Sequence, residues 1–238
     1  MLAVPFVSAV SHASVVISGT RVIYHEANGE KTLKLTNKGQ RPSLVQSWLD
    51  TAGASPIERG SLDVPFIVSP PTARIDPGKS QTVRIVYSGE PLPRDRESVF
   101  YLNVLEVPPK ANSGPDDNLL SFSLHSRIKF FFRPTGLADA VDEAPARLIW
   151  QLVTSGGQPV LRVSNPTSYH ISFHRIELAA GGQIQAVKTP GMLAPQETRD
   201  LVLPQSVVQP AGAQVRYQVV NDYGNILKVE AVPQALVH

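Results

Sequence analysis

No stretch of this chain carries a helical period of useful length, and that constrains the fold more than any motif. Short runs rich in β-branched and aromatic residues alternate with turn residues instead. SVVISGTRVIYH, KTLKLTN, SLVQSWLD, VPFIVSP, QTVRIVYS and SVFYLNVLEV precede the long stretch NLLSFSLHSRIKFFFRP (118–134), giving seven strands by residue 134. Asn28-Gly29, Lys38-Gly39, Asp76-Pro77-Gly78 and Pro91-Leu92-Pro93 punctuate them with turn chemistry. Seven short strands in about 120 residues predict an immunoglobulin-like sandwich. TGLADAVDEAP (135–145) then loses both periodicity and aromatics and reads as a linker. After it, RLIWQLVTS, PVLRVSN, YHISFHRIEL, QIQAVK, ETRDLVLP, AQVRYQVVN and NILKVEAV supply about seven more strands. The expectation is an all-β chain with one sandwich over 14–134 and a second over 146–238. A length of 238 residues suits two such domains, and 21 prolines with 16 glycines argue against long helices.

Charge and motif content narrow the function by exclusion. Lys plus Arg number 22 against 20 Asp plus Glu, interspersed with no basic tract, so nucleic acid is not an expected partner. Without cysteine there is neither a disulfide framework nor a thiolate zinc site. Of the six histidines only His170 and His174 lie close in sequence. On a strand, residues four apart share a face but sit roughly 13 Å from each other, so no metal site is expected. G-x-S-x-G, a Walker-type loop, H-E-x-x-H and an EF-hand loop are all missing, and no cofactor or enzymatic activity is expected. Residues 1–13, MLAVPFVSAVSHA, are apolar and then small, as at the end of a secretory signal cleaved near Ala13, although the usual positive n-region is missing. No later apolar run reaches membrane-spanning length, so no membrane insertion is expected.

The stretch from Asn118 to Pro134 is long for a strand. Its first half alternates, with Leu120, Phe122 and Leu124 on one face and Ser121, Ser123 and His125 on the other. Its second half mixes Arg127, Lys129 and Arg133 with Ile128, Phe130, Phe131 and Phe132. From the residues alone, the apolar ridge could pack within its own domain or serve a partner.

Several stretches resemble one family, the periplasmic chaperones of the chaperone-usher pilus pathway. LPRDRESVFYLNVLEVPP (92–109) is similar along its whole length to the signature of that family. PPTARIDPG (70–78), RIKFFFRP (127–134), NPTSY (165–169) and NDYG (221–224) resemble further family motifs in the same order. The resemblance implies two immunoglobulin-like domains at an angle with a cleft between them. It also implies a non-enzymatic function: binding and capping fimbrial (pilin) subunits in the periplasm and delivering them to an outer-membrane usher.

In that reading residues 118–133 complete the unfinished subunit fold by strand addition, with Leu120, Phe122 and Leu124 filling the subunit groove. By resemblance, Arg21 in SGTRV and Lys129 in RIKFFF hold the subunit's C-terminal carboxylate, and Glu97, Arg133 and Asp222 form a buried charge cluster that orients the domains. Strict alternation puts Lys129 opposite the ridge, which suggests a bulge between Leu124 and Lys129. The polar loop KANSGPDDN and the lack of cysteine resemble the short-loop class. An exposed apolar edge also invites weak homodimerisation through 118–126. Two readings of other classes remain: a secreted two-domain immunoglobulin-like adhesion or structural module without a client, and a secreted enzyme with a site assembled from loops.

Overall fold

The computed structural model describes residues 14–53, 64–107, 109, 122–138, 140–203 and 212–235. The strands of the first half are β1 (Val15–Ile17), β2 (Arg21–His25), β3 (Glu30–Asn37), β4 (Ser43–Asp50), β5 (Phe66–Ser69), β6 (Thr72–Ile75), β7 (Ser80–Tyr87), β8 (Ser98–Val107) and β9 (Leu124–Arg133). Those of the second half are β10 (Ile149–Ser155), β11 (Gln158–Ser164), β12 (Ile171–Ala180), β13 (Gln183–Val187), β14 (Met192–Leu193), β15 (Thr198–Val202), β16 (Gln214–Val220), β17 (Ile226–Ala231) and β18 (Gln234–Ala235). Among the described residues the helical content is two single 3-10 turns, Glu26–Asn28 and Ala144–Arg147.

Contacts group the chain into two units. One holds the segment through Thr20, Glu30–Gly89 and Tyr101–Ile128; the other holds Arg21–Gly29, Glu90–Phe100 and everything from Lys129. In the first, β1, β3, β7 and β5 form an antiparallel sheet in that order, and β4 pairs antiparallel with both β6 and β8. Alternation decides what is buried: Leu33 and Leu35 on β3 and Val83 and Ile85 on β7 turn inward, while Lys34 and Arg84 face water. Glu106, itself buried, accepts hydrogen bonds from the Val15 backbone (3.0 Å) and from the hydroxyls of Ser43 (2.9 Å) and Ser14, pinning β1.

In the second unit the sheets run β15-β11-β10-β18 and β13-β12-β16-β17, with β14 beside β12. Their core is aromatic. Trp150 lies 5.1 Å from the Tyr217 ring and 6.1 Å from Phe173, and the Tyr217 hydroxyl donates to the Pro145 carbonyl at 2.7 Å. This unit also contains β2 paired in parallel with the last part of β9, Arg21 opposite Lys129 through His25 opposite Arg133. β8 and β9 each run on from one unit into the other, in a sheet of order β2-β9-β8-β4-β6.

Three expectations are corrected. SVVISGTRVIYH is two strands, because the chain breaks at Gly19, whose φ of 118° suits glycine. β1 stays with β3 while β2 joins β9 in the other sheet. TARI within PPTARIDPG is a strand of its own, β6, so nine strands precede residue 134 instead of seven; β14 and β18 likewise add to the second half. The long strand is shorter than 118–133. β9 begins at Leu124; Phe122 and Ser123 are described but lie outside it, and 118–121, Leu120 included, fall outside the described residues. Phe122 is 76% exposed, with no ladder to hold it.

Candidate functional site

The run Phe130-Phe131-Phe132 is apolar without alternation because β9 is covered on both faces at this end, as parallel pairing favours. Phe130 and Phe132 meet the Tyr24 ring at 5.8 and 5.9 Å, and Phe131 turns the other way, its ring 5.6 Å from His170. The odd-numbered side chains of β9 therefore share one face, and their contacts follow one another without a break. His125 stacks on Trp48 and donates from Nε2 to Asn103 Oδ1 at 2.9 Å. Arg127 reaches Asp50 and the Thr51 carbonyl, each at 2.7 Å, with its guanidinium 4.0 Å from the Tyr101 ring centroid. Lys129, Phe131 and Arg133 continue the row. β9 runs as one strand from Leu124 to Arg133, through the position where a bulge was expected.

Register brings Arg21 and Lys129 side by side. Lys129 Nζ donates to Ser172 Oγ on β12 at 2.9 Å, and Arg21 Nη1 donates to the Val220 carbonyl on β16 at 2.8 Å. Among the described residues neither cation is in an ion pair, and Arg21 Nε is buried without a hydrogen-bond partner. Burial, reinforced by Arg21, lowers the Lys129 ammonium to about 8. Burial also lowers Arg21, against the opposing pull of Asp222 and Glu97. Adjacent like charges, partly stripped of water, with hydrogen-bond donors to spare, suit an anion that accepts from both.

Glu97, Arg133 and Asp222 converge on one another. Arg133 Nε and Nη2 donate to Glu97 Oε1 at 2.9 and 2.7 Å, and Nη1 and Nη2 donate to the two Asp222 oxygens at 2.7 and 3.1 Å. The second Glu97 oxygen accepts the His170 backbone N–H at 2.9 Å. The Glu97 side chain is 2% exposed and that of Asp222 26%. Burial alone would lower Arg133, but Asp222 and Glu97 outweigh it and raise the guanidinium above its ordinary value. The guanidinium also lies 4.9 Å from the Tyr169 ring centroid. A pocket next to the cluster is lined by Arg21, Arg133, Tyr169, His170, Ser172 and Asp222 among others.

Of the proposed ridge, Leu124 is 43% exposed at the start of β9 and Phe122 precedes it in the open. The ladder between β2 and β9 begins at Arg21 and Lys129, so β2 does not pair with residues 124–128. His170 and His174 do not converge: His170 packs on Phe131 and Glu97, while His174 is exposed at a register shift in β12. Among the described residues no group of three or more metal-ligating side chains forms. Sequence reasoning missed Ser172, the Val220 carbonyl and the Arg127–Asp50–Tyr101 row. Strand register could have found the last, since Asp50 and Tyr101 are partners between β4 and β8.

Two family profiles together match nearly the whole described chain: "Pili and flagellar-assembly chaperone, PapD N-terminal domain" over residues 14–138 and "Pili assembly chaperone PapD, C-terminal domain" over 143–231. The chaperone protein FimB/FhaD of Bordetella pertussis is 42% identical over 226 residues, which cover 93% of this chain and 88% of that protein. The crystal structure of the YadV chaperone, a probable fimbrial chaperone of Escherichia coli K12, superposes with a TM-score of 0.78 at 39% identity, covering 92% of this chain and 99% of that one. The SafB chaperone, solved in complex with the SafA pilin of Salmonella enterica, superposes with a TM-score of 0.74 at 28% identity, covering 94% and 98%.

Proposed function

Because the chain belongs to the pilus-assembly chaperones of the chaperone-usher pathway, a non-enzymatic family, we propose that it captures fimbrial subunits by lending them β9 and clamping their C-terminal carboxylate between Arg21 and Lys129. The observation that carries this reading is the pair itself, two half-buried cations in register with no carboxylate partner among the described residues. Ladder geometry supports it. β2 runs parallel to β9 but covers it only from Lys129 onward, so a client strand laid along 124–128 in the line of β2, and parallel to β9, ends where β2 begins. Its terminal carboxylate then meets Arg21 and Lys129, each contact contributing roughly 1.5–3 kcal/mol.

Phe122 and Leu124, continuing the period of Leu120, fill the open core of the client, each side chain adding roughly 1.5–3 kcal/mol when fully buried. The SafB–SafA complex lends support from a relative. Glu97, Arg133 and Asp222 serve in this reading to orient the two immunoglobulin-like domains, divided at the 135–145 segment. Export through a signal ending near Ala13, a short-loop hairpin, delivery to an outer-membrane usher and weak self-association through 118–126 complete the proposal. The test is co-expression with the small fimbrial subunits of the same gene cluster. Wild-type chain protects them from proteolysis, whereas Arg21→Ala and Lys129→Ala fold normally and do not. Protection by either variant at the wild-type level refutes the clamp.

A further inference from the structure

Lys129 does not stand free in its site. Its ammonium is held from the facing strand β12 by Ser172, whose residue is only 4% exposed and whose Oγ lies 2.9 Å from Nζ. Nothing else in the described structure holds the ammonium. Arg21, its neighbour in register, repels it; Glu97 and Asp222 are engaged by Arg133, and His170 is turned to Glu97 and Phe131. A lysine side chain is a flexible four-carbon stem with three rotatable donors. Without a fixed acceptor it would swing away from Arg21 toward water. One donated hydrogen bond to a buried hydroxyl removes that freedom and leaves two N–H donors for a ligand.

We infer that Ser172 is a positioning residue for the carboxylate clamp, holding the Lys129 ammonium beside Arg21 so that the two cations meet a client's terminal carboxylate already aligned. The inference rests on the clamp reading above and deepens it. The hydroxyl is the smallest group able to do this at a buried position without bringing a second charge. A carboxylate in its place would neutralise the lysine and compete with the client, and an alanine would leave the ammonium without a partner while burial still opposes its charge. Threonine keeps the acceptor and should substitute.

The test uses the full chain with its lysine side chains labelled at Cε. Lys129 is assigned from its absence in Lys129→Ala, and its protonation is followed by NMR from pH 6 to 11. In wild type the midpoint lies near 8. Ser172→Ala removes an acceptor that favours the charged form, so its midpoint falls by about half to one pH unit, a threefold to tenfold loss of proton affinity; Ser172→Thr restores it. Acetate, as the smallest carboxylate probe, is then titrated at pH 7 with acetamide as control. Acetate shifts the Lys129 signal in wild type and in Ser172→Thr, and binds at least threefold more weakly to Ser172→Ala; acetamide does nothing. A Lys129 midpoint unchanged in a folded Ser172→Ala overturns the positioning role and leaves the clamp standing. A wild-type Lys129 indifferent to acetate overturns the clamp, and the positioning role with it.

Discussion

Removing Arg133 and removing Asp222 should cost very different amounts, although both break the same cluster. Arg133 makes four charge-assisted hydrogen bonds, two to each carboxylate. Replacing it with methionine leaves the Glu97 carboxylate, 2% exposed, with only His170 among the described residues to hold it. A buried charge stranded in this way costs about 3–5 kcal/mol. Asp222→Ala is milder. Arg133 keeps both bonds to Glu97, the buried pair stays neutral overall, and the lost carboxylate was already a quarter exposed, so about 1–2 kcal/mol is expected. At about 2–4 °C per kcal/mol for a body of this size, thermal unfolding should fall roughly 6–20 °C for Arg133→Met and 2–8 °C for Asp222→Ala. Adding Glu97→Gln to Arg133→Met removes the stranded charge and should recover at least about 1 kcal/mol. Denaturant titrations read by linear extrapolation give the same ordering independently of temperature. Equal losses for the two single variants, or no recovery in the double, would refute the argument from a buried, uncompensated carboxylate.

Lys129→Met should stabilise the free chain at neutral pH. The folded pKa near 8 lies below the ordinary 10.5, so the folded state holds this proton less well than the unfolded chain; the penalty is full below about 8 and vanishes as pH rises through 10.5. The melting advantage of Lys129→Met over wild type should therefore shrink between pH 8 and 10.5, and an advantage constant across that range would show that burial of the charge is not its source. Trp150→Ala, at the centre of the aromatic cluster with Phe173 and Tyr217, should cost about 3–5 kcal/mol by denaturant titration. Phe122→Glu should leave the melting point within about 2 °C of wild type, because that side chain is open to water, yet abolish both subunit protection and any concentration-dependent dimer seen by sedimentation.

What the sequence discloses about this molecule follows the physics of each element. Period-two runs such as QTVRIVYS announce β7, since Val83 and Ile85 alternate with Arg84 and Val86 around one buried face. The break at Gly19 is harder to read, because SVVISGTRVIYH keeps its β-rich composition on both sides and only the backbone φ marks the crossing between sheets. TARI is masked by its short length between prolines. Within the candidate site, Arg21, Lys129, Glu97, Arg133 and Asp222 are visible as charges in recognisable motifs. Ser172 is not, since a serine in YHISFH looks like any outward-facing strand residue, and burial against Lys129 is decided by tertiary placement. The Val220 carbonyl carries no side-chain identity at all, so its role is legible only in the folded chain.

In the proposed strand donation, pairing on different edges and packing on different faces let one strand be held firmly and still be offered to another protein. Downstream of Lys129, β9 is paired with β2 and buried on both faces, so the cation at its boundary is set in a rigid frame. Upstream, β9 is held instead through its odd face, where His125 rests on Trp48 and Arg127 ties to Asp50, Thr51 and the Tyr101 ring. These ties consume neither the edge that β2 leaves uncovered nor the even side chain Leu124. In that proposal a client takes backbone pairing from that edge and apolar contact from the even face without competing with the bonds that keep β9 in place. In the proposed clamp, the point at which β2 takes over the edge then fixes where the client strand must end.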